Sequence, residues 1–163
     1  MSLEIWARTS GPIDTQRLAA AVADLLENGD LLVLAGDLGA GKTCFTQGIG
    51  QALGIDQRIT SPTFTLANHY QGRLELNHLD VYRIEQLSDS LDLDLPELLE
   101  TGVTVIEWGE QLTPELPSSH LNVKLLLDGP TDDHRRLSFS SDGVAWAGRW
   151  DALAAALEEW AEQ

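Results

Sequence analysis

The apolar positions along this chain change period several times, and each change marks an element. Leu3, Ile5 and Ala7 alternate with Glu4, Trp6 and Arg8, the period-two pattern of a strand. The spacing then lengthens, and Leu18, Val22, Leu25 and Leu26 fall on one helical face. Asp14 is placed to cap that helix, with Ile13 and Leu18 as its hydrophobic staple and Gly29 as its left-handed end. Leu31 to Ala35 is an unbroken apolar run, as a strand buried on both faces in a parallel sheet requires. Helical spacing returns over Cys44 to Leu53 with Phe45, Ile49, Ala52 and Leu53, and Gly54 ends it.

Beyond Gly54 the pattern becomes strand-like. Ser61 to Tyr70, a turn at Gln71-Gly72-Arg73 and Leu74 to Leu79 form an expected hairpin. A hairpin directly after a helix places an antiparallel element in the sheet, which departs from a simple doubly wound order. Leu91 to Glu100 is acidic and Leu-rich, a loop plus a short helix with Pro96 in its first turn. Val103 to Ile106 is a short apolar strand running into Glu107-Trp108. Leu121, Val123, Leu125 and Leu127 alternate, as do Leu137 and Phe139, around a turn from Asp128 to His134. Val144 and Trp146 suggest one more strand, and Trp150, Leu153, Ala154, Leu157, Trp160 and Ala161 mark the inner face of a C-terminal helix.

The junction between the first buried strand and the second helix carries chemistry. Gly36-Asp37-Leu38-Gly39-Ala40-Gly41-Lys42-Thr43 fits G-x-x-x-x-G-K-S/T, a phosphate-binding loop. Residues 37 to 44 are therefore the expected nucleotide contacts: Asp37, Leu38, Gly39, Ala40, Gly41, Lys42, Thr43 and Cys44. Its glycines permit torsions and close approach that a Cβ forbids, so that successive N–H groups can turn toward an anion. Lys42 supplies a mobile charge for the terminal phosphates, and the Thr43 hydroxyl suits Mg²⁺. The helix that follows adds the favourable end of its dipole. A chance match in a chain of this length arises in roughly half a per cent of cases, and the strand-loop-helix order narrows that further. The fold class is α/β, a P-loop NTPase type with a mixed parallel and antiparallel sheet flanked by helices, in one domain spanning 1–163.

Charge restricts the partners. The formal net charge is −16, from 10 basic and 26 acidic residues. Such a surface repels nucleic acid, so direct tRNA binding by the chain alone is not expected. Cys44 is the single cysteine, so no intrachain disulfide can form, which suits the cytosol. Its position at a helix start favours a lowered thiol pKa, although a small buried filler is the simpler role. No run approaches a membrane span in length, and the first residues lack a basic, then apolar, leader pattern.

A phosphate-loop enzyme needs an acid at the end of a neighbouring buried strand. Glu107, after the apolar run Val103 to Ile106, is the better metal ligand by strand quality. Asp80 follows a half-polar segment and is left for positioning water, or for a turn, a cap or an ion pair with Arg83. Thr63, in a loop stiffened by Pro62, either senses the γ-phosphate or shapes a turn. His78 is more readily a hydrogen-bonded structural residue than a base. Arg83, Arg135 and Arg136 are candidate phosphate or base contacts.

Four stretches taken together resemble the bacterial TsaE family: Gly36 to Thr43, Ser61-Pro62-Thr63-Phe64-Thr65-Leu66, His78-Leu79-Asp80-Val81-Tyr82-Arg83, and Val105-Ile106-Glu107-Trp108. They cover about the first two thirds of the chain. The resemblance implies a cytoplasmic ATPase, with Mg²⁺ and ATP, that takes part in forming threonylcarbamoyladenosine next to the tRNA anticodon. It implies action on a TsaB–TsaD heterodimer, which the ATPase resets between turnovers. By the same resemblance Lys42 and Thr43 contact phosphate and metal, Glu107 is the acid at the metal, and Asp80 is needed for hydrolysis. Trp108 lies close to the nucleotide, Thr63 falls in a switch-like loop, and Arg136 lines the adenine pocket. Cys44 departs from the family, where a second Thr is common.

Two other classes compete. A small-molecule kinase needs an acceptor pocket and usually an Arg-rich lid, whereas the segment after Asp80 is acid-rich. A nucleotide-gated binding module needs no chemistry. An N-K-x-D guanine motif is absent, so GTP lacks its usual sequence support.

Overall fold

The computed structural model describes residues 3–37, 39–62, 67–80, 95–107, 119–141 and 143–162. Its frame is one seven-stranded sheet, ordered β1-β7-β6-β2-β5-β4-β3. The strands are β1 (Leu3–Thr9), β2 (Leu31–Ala35), β3 (Ala67–Tyr70), β4 (Leu76–Asp80), β5 (Val103–Glu107), β6 (Leu121–Leu127) and β7 (Arg135–Ser141). The central pairs β6–β2, β2–β5 and β5–β4 are parallel, and the outer pairs are antiparallel. The mixed P-loop-type sheet expected from the sequence is therefore present.

The helices are α1 (Pro12–Ala23), α2 (Lys42–Ala52), α3 (Leu95–Glu100), α4 (Val144–Ala147) and α5 (Trp150–Ala156). Helices α1 and α2 pack on each other and lay Leu18, Val22, Phe45 and Ile49 over Leu32, Leu34, Val105, Val123 and Phe139 in one buried cluster. They approach so closely that a Cβ on Gly48 would sit 2.4 Å from the Gln16 carbonyl oxygen. The alternate residues Leu31, Val33, Leu79 and Ile106 are also buried but lie outside that cluster, on the opposite face of the sheet.

Helix α2 closes with a Schellman motif: Ile55 N–H donates to Gly50 O at 3.0 Å and Gly54 N–H to Gln51 O at 3.1 Å, with Gly54 at φ 75°.

Five expectations are corrected. Helix α1 starts at Pro12 behind Gly11, so Asp14 is inside its first turn, where it accepts from Ser10 N–H at 3.0 Å. Ile13 is 75% exposed and staples nothing. Gly29 has the expected positive φ of 95° but lies beyond the Asp24 C-cap, in the turn that enters β2. Val144 and Trp146 form the short helix α4, in which Trp146 is fully buried. Finally, α5 ends at Ala156, residues 157–160 form turns, and the chain then meets β1: Glu162 N–H donates to Trp6 O, Arg8 N–H donates to Trp160 O, and Ala161 bridges to Ala7.

Candidate nucleotide site

The site stands where the central parallel strands end. Strand β2 stops at Ala35, the chain turns through 36–41, and α2 begins at Lys42 with Gly41 as its N-cap. Gly36 has φ 149°, and a Cβ there would lie 2.7 Å from Leu125 O, so only glycine lets the loop cross β6 this closely. Ala40 N–H donates to Asp37 O at 2.9 Å and tightens the turn.

Two cations grip this loop, one next to it in sequence and one from a distant strand. Lys42 is 5% exposed, and its Nζ donates to Gly36 O at 2.6 Å and Asp37 O at 3.1 Å. Arg135, the first residue of β7, donates from Nε to Ala40 O at 2.7 Å and from Nη2 to Gly39 O at 3.3 Å. Because a trans peptide is planar, the carbonyl of Ala40 bound to Arg135 turns the Gly41 N–H away from it.

The acids come from β4 and β5, which run parallel with Asp80 opposite Glu107 in register. Glu107 is 3% exposed and takes the Thr43 hydroxyl at 3.2 Å on Oε1 and 3.4 Å on Oε2. Fully buried His78 also hydrogen-bonds Glu107, through Nε2 to Oε2. Asp80 accepts from the Ser61 hydroxyl at 3.1 Å. Gly39, Gly41, Lys42, Thr43, Cys44, Ser61, Asp80 and Glu107 thus line one cavity of about 300 Å³. Across the loop lies a groove of about 480 Å³ walled by Ala35, Gly36, Asp37 and Ala40 against residues 124–127 of β6.

Thr43 and Glu107 fit Mg²⁺. Both offer hard oxygen, one is anionic, and this ion is commonly held by one or two carboxylates together with substrate phosphate.

Among the remaining candidates, Cys44 lies beside the loop with Sγ 3.3 Å from Pro12 O. Burial pushes its thiol up from the ordinary value, outweighing Arg135 and Gln16, so the lowering expected of a helix start is not found. Arg136 is held elsewhere. Its side chain lies on the face of β7 away from Leu137 and Phe139, donates to Glu162 at 2.6 and 3.0 Å, and stacks 3.8 Å over Trp6. The hydrogen bonds and charge of Glu162 hold the Arg136 guanidinium above its ordinary value. Leu38, Thr63 and Trp108 lie outside the described residues, as does Arg83.

Residues 9–137 match the family model described as "Threonylcarbamoyl adenosine biosynthesis protein TsaE". The chain belongs to the TsaE family. Among TsaE proteins, that of Treponema pallidum is 50% identical over 119 residues, covering 71% of this chain and 88% of its own. The Bacillus subtilis TsaE is 41% identical over 137 residues, covering 83% and 85%. The crystal structure of Bacillus subtilis YdiB superposes with a TM-score of 0.76 at 34% identity, over 98% of this chain and 97% of that one. A TsaE-family chain is thus matched in both sequence and fold by relatives of nearly equal extent.

Three contacts escaped the sequence reading of this TsaE-family site. Ser61 on Asp80, His78 on Glu107 and Arg135 on the loop all join residues far apart in the chain. A partial signal existed in strand parity. Leu76, His78 and Asp80 alternate onto one face, and Arg135 shares its face with Leu137 and Phe139.

Proposed function

We propose that this chain is a Mg²⁺-dependent ATPase that serves threonylcarbamoylation of the tRNA adenosine next to the anticodon. It acts on a TsaB–TsaD complex and does not itself bind tRNA. The observation that carries the reading is the Thr43–Glu107 contact at the mouth of a phosphate loop, with Asp80 in register beside it. The named role of the relatives, tRNA threonylcarbamoyladenosine biosynthesis, supplies the pathway.

Residues of the chain divide the work. Lys42 exchanges its contacts with Gly36 and Asp37 for the terminal phosphates, and the amides at the start of α2, from Lys42 through Cys44, serve the rest of the phosphate chain. Thr43 and Glu107 hold Mg²⁺, which neutralises charge on the phosphate oxygens. Asp80, oriented by Ser61, positions the attacking water. The family resemblance assigns Leu38, Thr63 and Trp108 to nucleotide binding as well. Arg135 holds the loop from outside, whereas Arg136 reaches the base only by leaving Glu162. No arginine finger is assigned, and slow turnover completed by the partner follows.

The formal charge of −16 supports a protein partner over tRNA. The reading takes residues 1–163 as one domain working in the cytoplasm. Among the described residues no helix is long and apolar enough to cross a membrane. The test is phosphate release from ATP and from GTP, with and without TsaB–TsaD. ATP hydrolysis that rises with the complex is expected. A rate unchanged by the complex, or transfer of phosphate to a small acceptor, overturns the proposal.

A further inference from the structure

Beyond the acids and the loop, the buried imidazole of His78 is unexplained by packing. His78 is fully buried in β4, and Leu76, its neighbour on the same strand face, belongs to the apolar core. An imidazole in such a place is costly unless its N–H is satisfied. Among the described residues its Nδ1 has no hydrogen-bond partner, while Nε2 meets Glu107 Oε2. A carboxylate only accepts, so Nε2 carries the proton and Nδ1 is a bare lone pair, which needs no acceptor. The imidazole therefore directs its single donor at Glu107.

The geometry points to His78 as a positioning residue for the metal-binding carboxylate of Glu107. This inference rests on the proposed function. The register explains the reach. His78 pairs with Val105 in the parallel ladder, so Glu107 is its diagonal neighbour on the same face. Glu107 is thus held by two donors from different elements, Thr43 from α2 and His78 from β4. The Thr43 hydroxyl would itself hold the metal in the proposed site, so its hydrogen bond to Glu107 would not be kept alongside that role. His78 would remain as the donor that fixes the carboxylate through Oε2. Partners of ligating carboxylates commonly affect metal affinity by about 10–100-fold.

The test uses the full chain with Mn²⁺ as the probe metal and ADP as the probe nucleotide. ADP affinity is measured by calorimetry in EDTA, and Mn²⁺ affinity of the ADP-loaded protein by electron paramagnetic resonance. For His78→Leu the expected result is ADP binding in EDTA within about two-fold of wild type and Mn²⁺ binding weakened about ten-fold or more. His78→Gln, whose amide N–H replaces the Nε2 donor, is expected to recover most of that loss. Wild-type Mn²⁺ affinity in His78→Leu overturns the inference, as does an equal loss in both measurements, which marks a general collapse of the site. If the Leu variant does not fold, nitrogen NMR of the wild-type imidazole decides. The Nε2–H tautomer supports the inference, and the Nδ1–H tautomer overturns it. A wild-type chain that binds no Mn²⁺–ADP refutes the proposed function as well. Binding that is equal in wild type and His78→Leu refutes the inference alone.

Discussion

Gly48 offers a direct measure of how tightly the helix that carries the phosphate loop is seated. In Gly48→Ala the new methyl carbon would lie 2.4 Å from Gln16 O, 2.7 Å from Gln16 Cα and 2.8 Å from Ala19 Cβ. Carbon atoms prefer separations of about 3.5–4.0 Å, so α1 must retreat by about 1 Å. Two of the three obstructing atoms are backbone, and no rotamer change relieves them. Overpacking of this kind costs about 1–3 kcal/mol. Replacing a mid-helix glycine by alanine returns up to about 1 kcal/mol of helix propensity. With rigid backbone in the way, the net effect is a loss of about 1–2 kcal/mol, or roughly 2–8 °C in Tm for a domain of this size. Gly148→Ala is the matched control. It has φ −75°, nothing within 4 Å of the added methyl, and an expected small gain. Urea denaturation of both variants measures the difference directly. A Gly48→Ala protein as stable as wild type would show that α1 and α2 are not in the contact described, and the reasoning would fail.

Three further expectations concern the site and its surroundings. Arg135→Ala removes both side-chain contacts to the outer loop carbonyls, and calorimetry should show ADP binding weakened about ten-fold; unchanged affinity would mean the loop holds its shape without them. Asp80→Asn should lower phosphate release at least ten-fold while ADP still binds in EDTA, and equal losses in both would remove Asp80 from the chemical step. Glu162 is held below the usual carboxylate range by hydrogen bonds from Arg136 and by the charges of Arg136 and Arg8. A depressed folded-state pKa adds stability that is full above the ordinary carboxylate pKa and lost as pH falls through the lowered value. Wild type should therefore be more stable than Glu162→Gln at pH 7 and lose that lead below about pH 4. A lead that persisted at pH 2 would assign it to packing instead.

The strand, loop and helix around Lys42 were legible because every signal for them is local: apolar continuity, glycine placement and helical spacing within 31–54. The start of α1 was misplaced although Gly11-Pro12 marks a first helical turn as well as Asp14 does. Val144 and Trp146 mimic strand alternation, but two positions cannot fix a period, and the flanking Gly143 and Gly148 enclose a single helical turn. The face of β7 that meets the loop could have been read from Leu137 and Phe139, which share it with Arg135. The pairing of Asp80 with Glu107 was beyond sequence reasoning, because strand order across the sheet is a non-local property.

That pairing makes β4 and β5 behave as a reading frame. Because side chains alternate faces, inserting or deleting one residue within Leu76–Asp80 would carry Asp80 to the far side of the sheet and break the reach of His78 to Glu107. The same change within Val103–Glu107 would remove Glu107 from Thr43. Substitutions at these positions can be graded in effect, but changes in length cannot. A chain that keeps this site can lengthen in its turns, but not within these two strands.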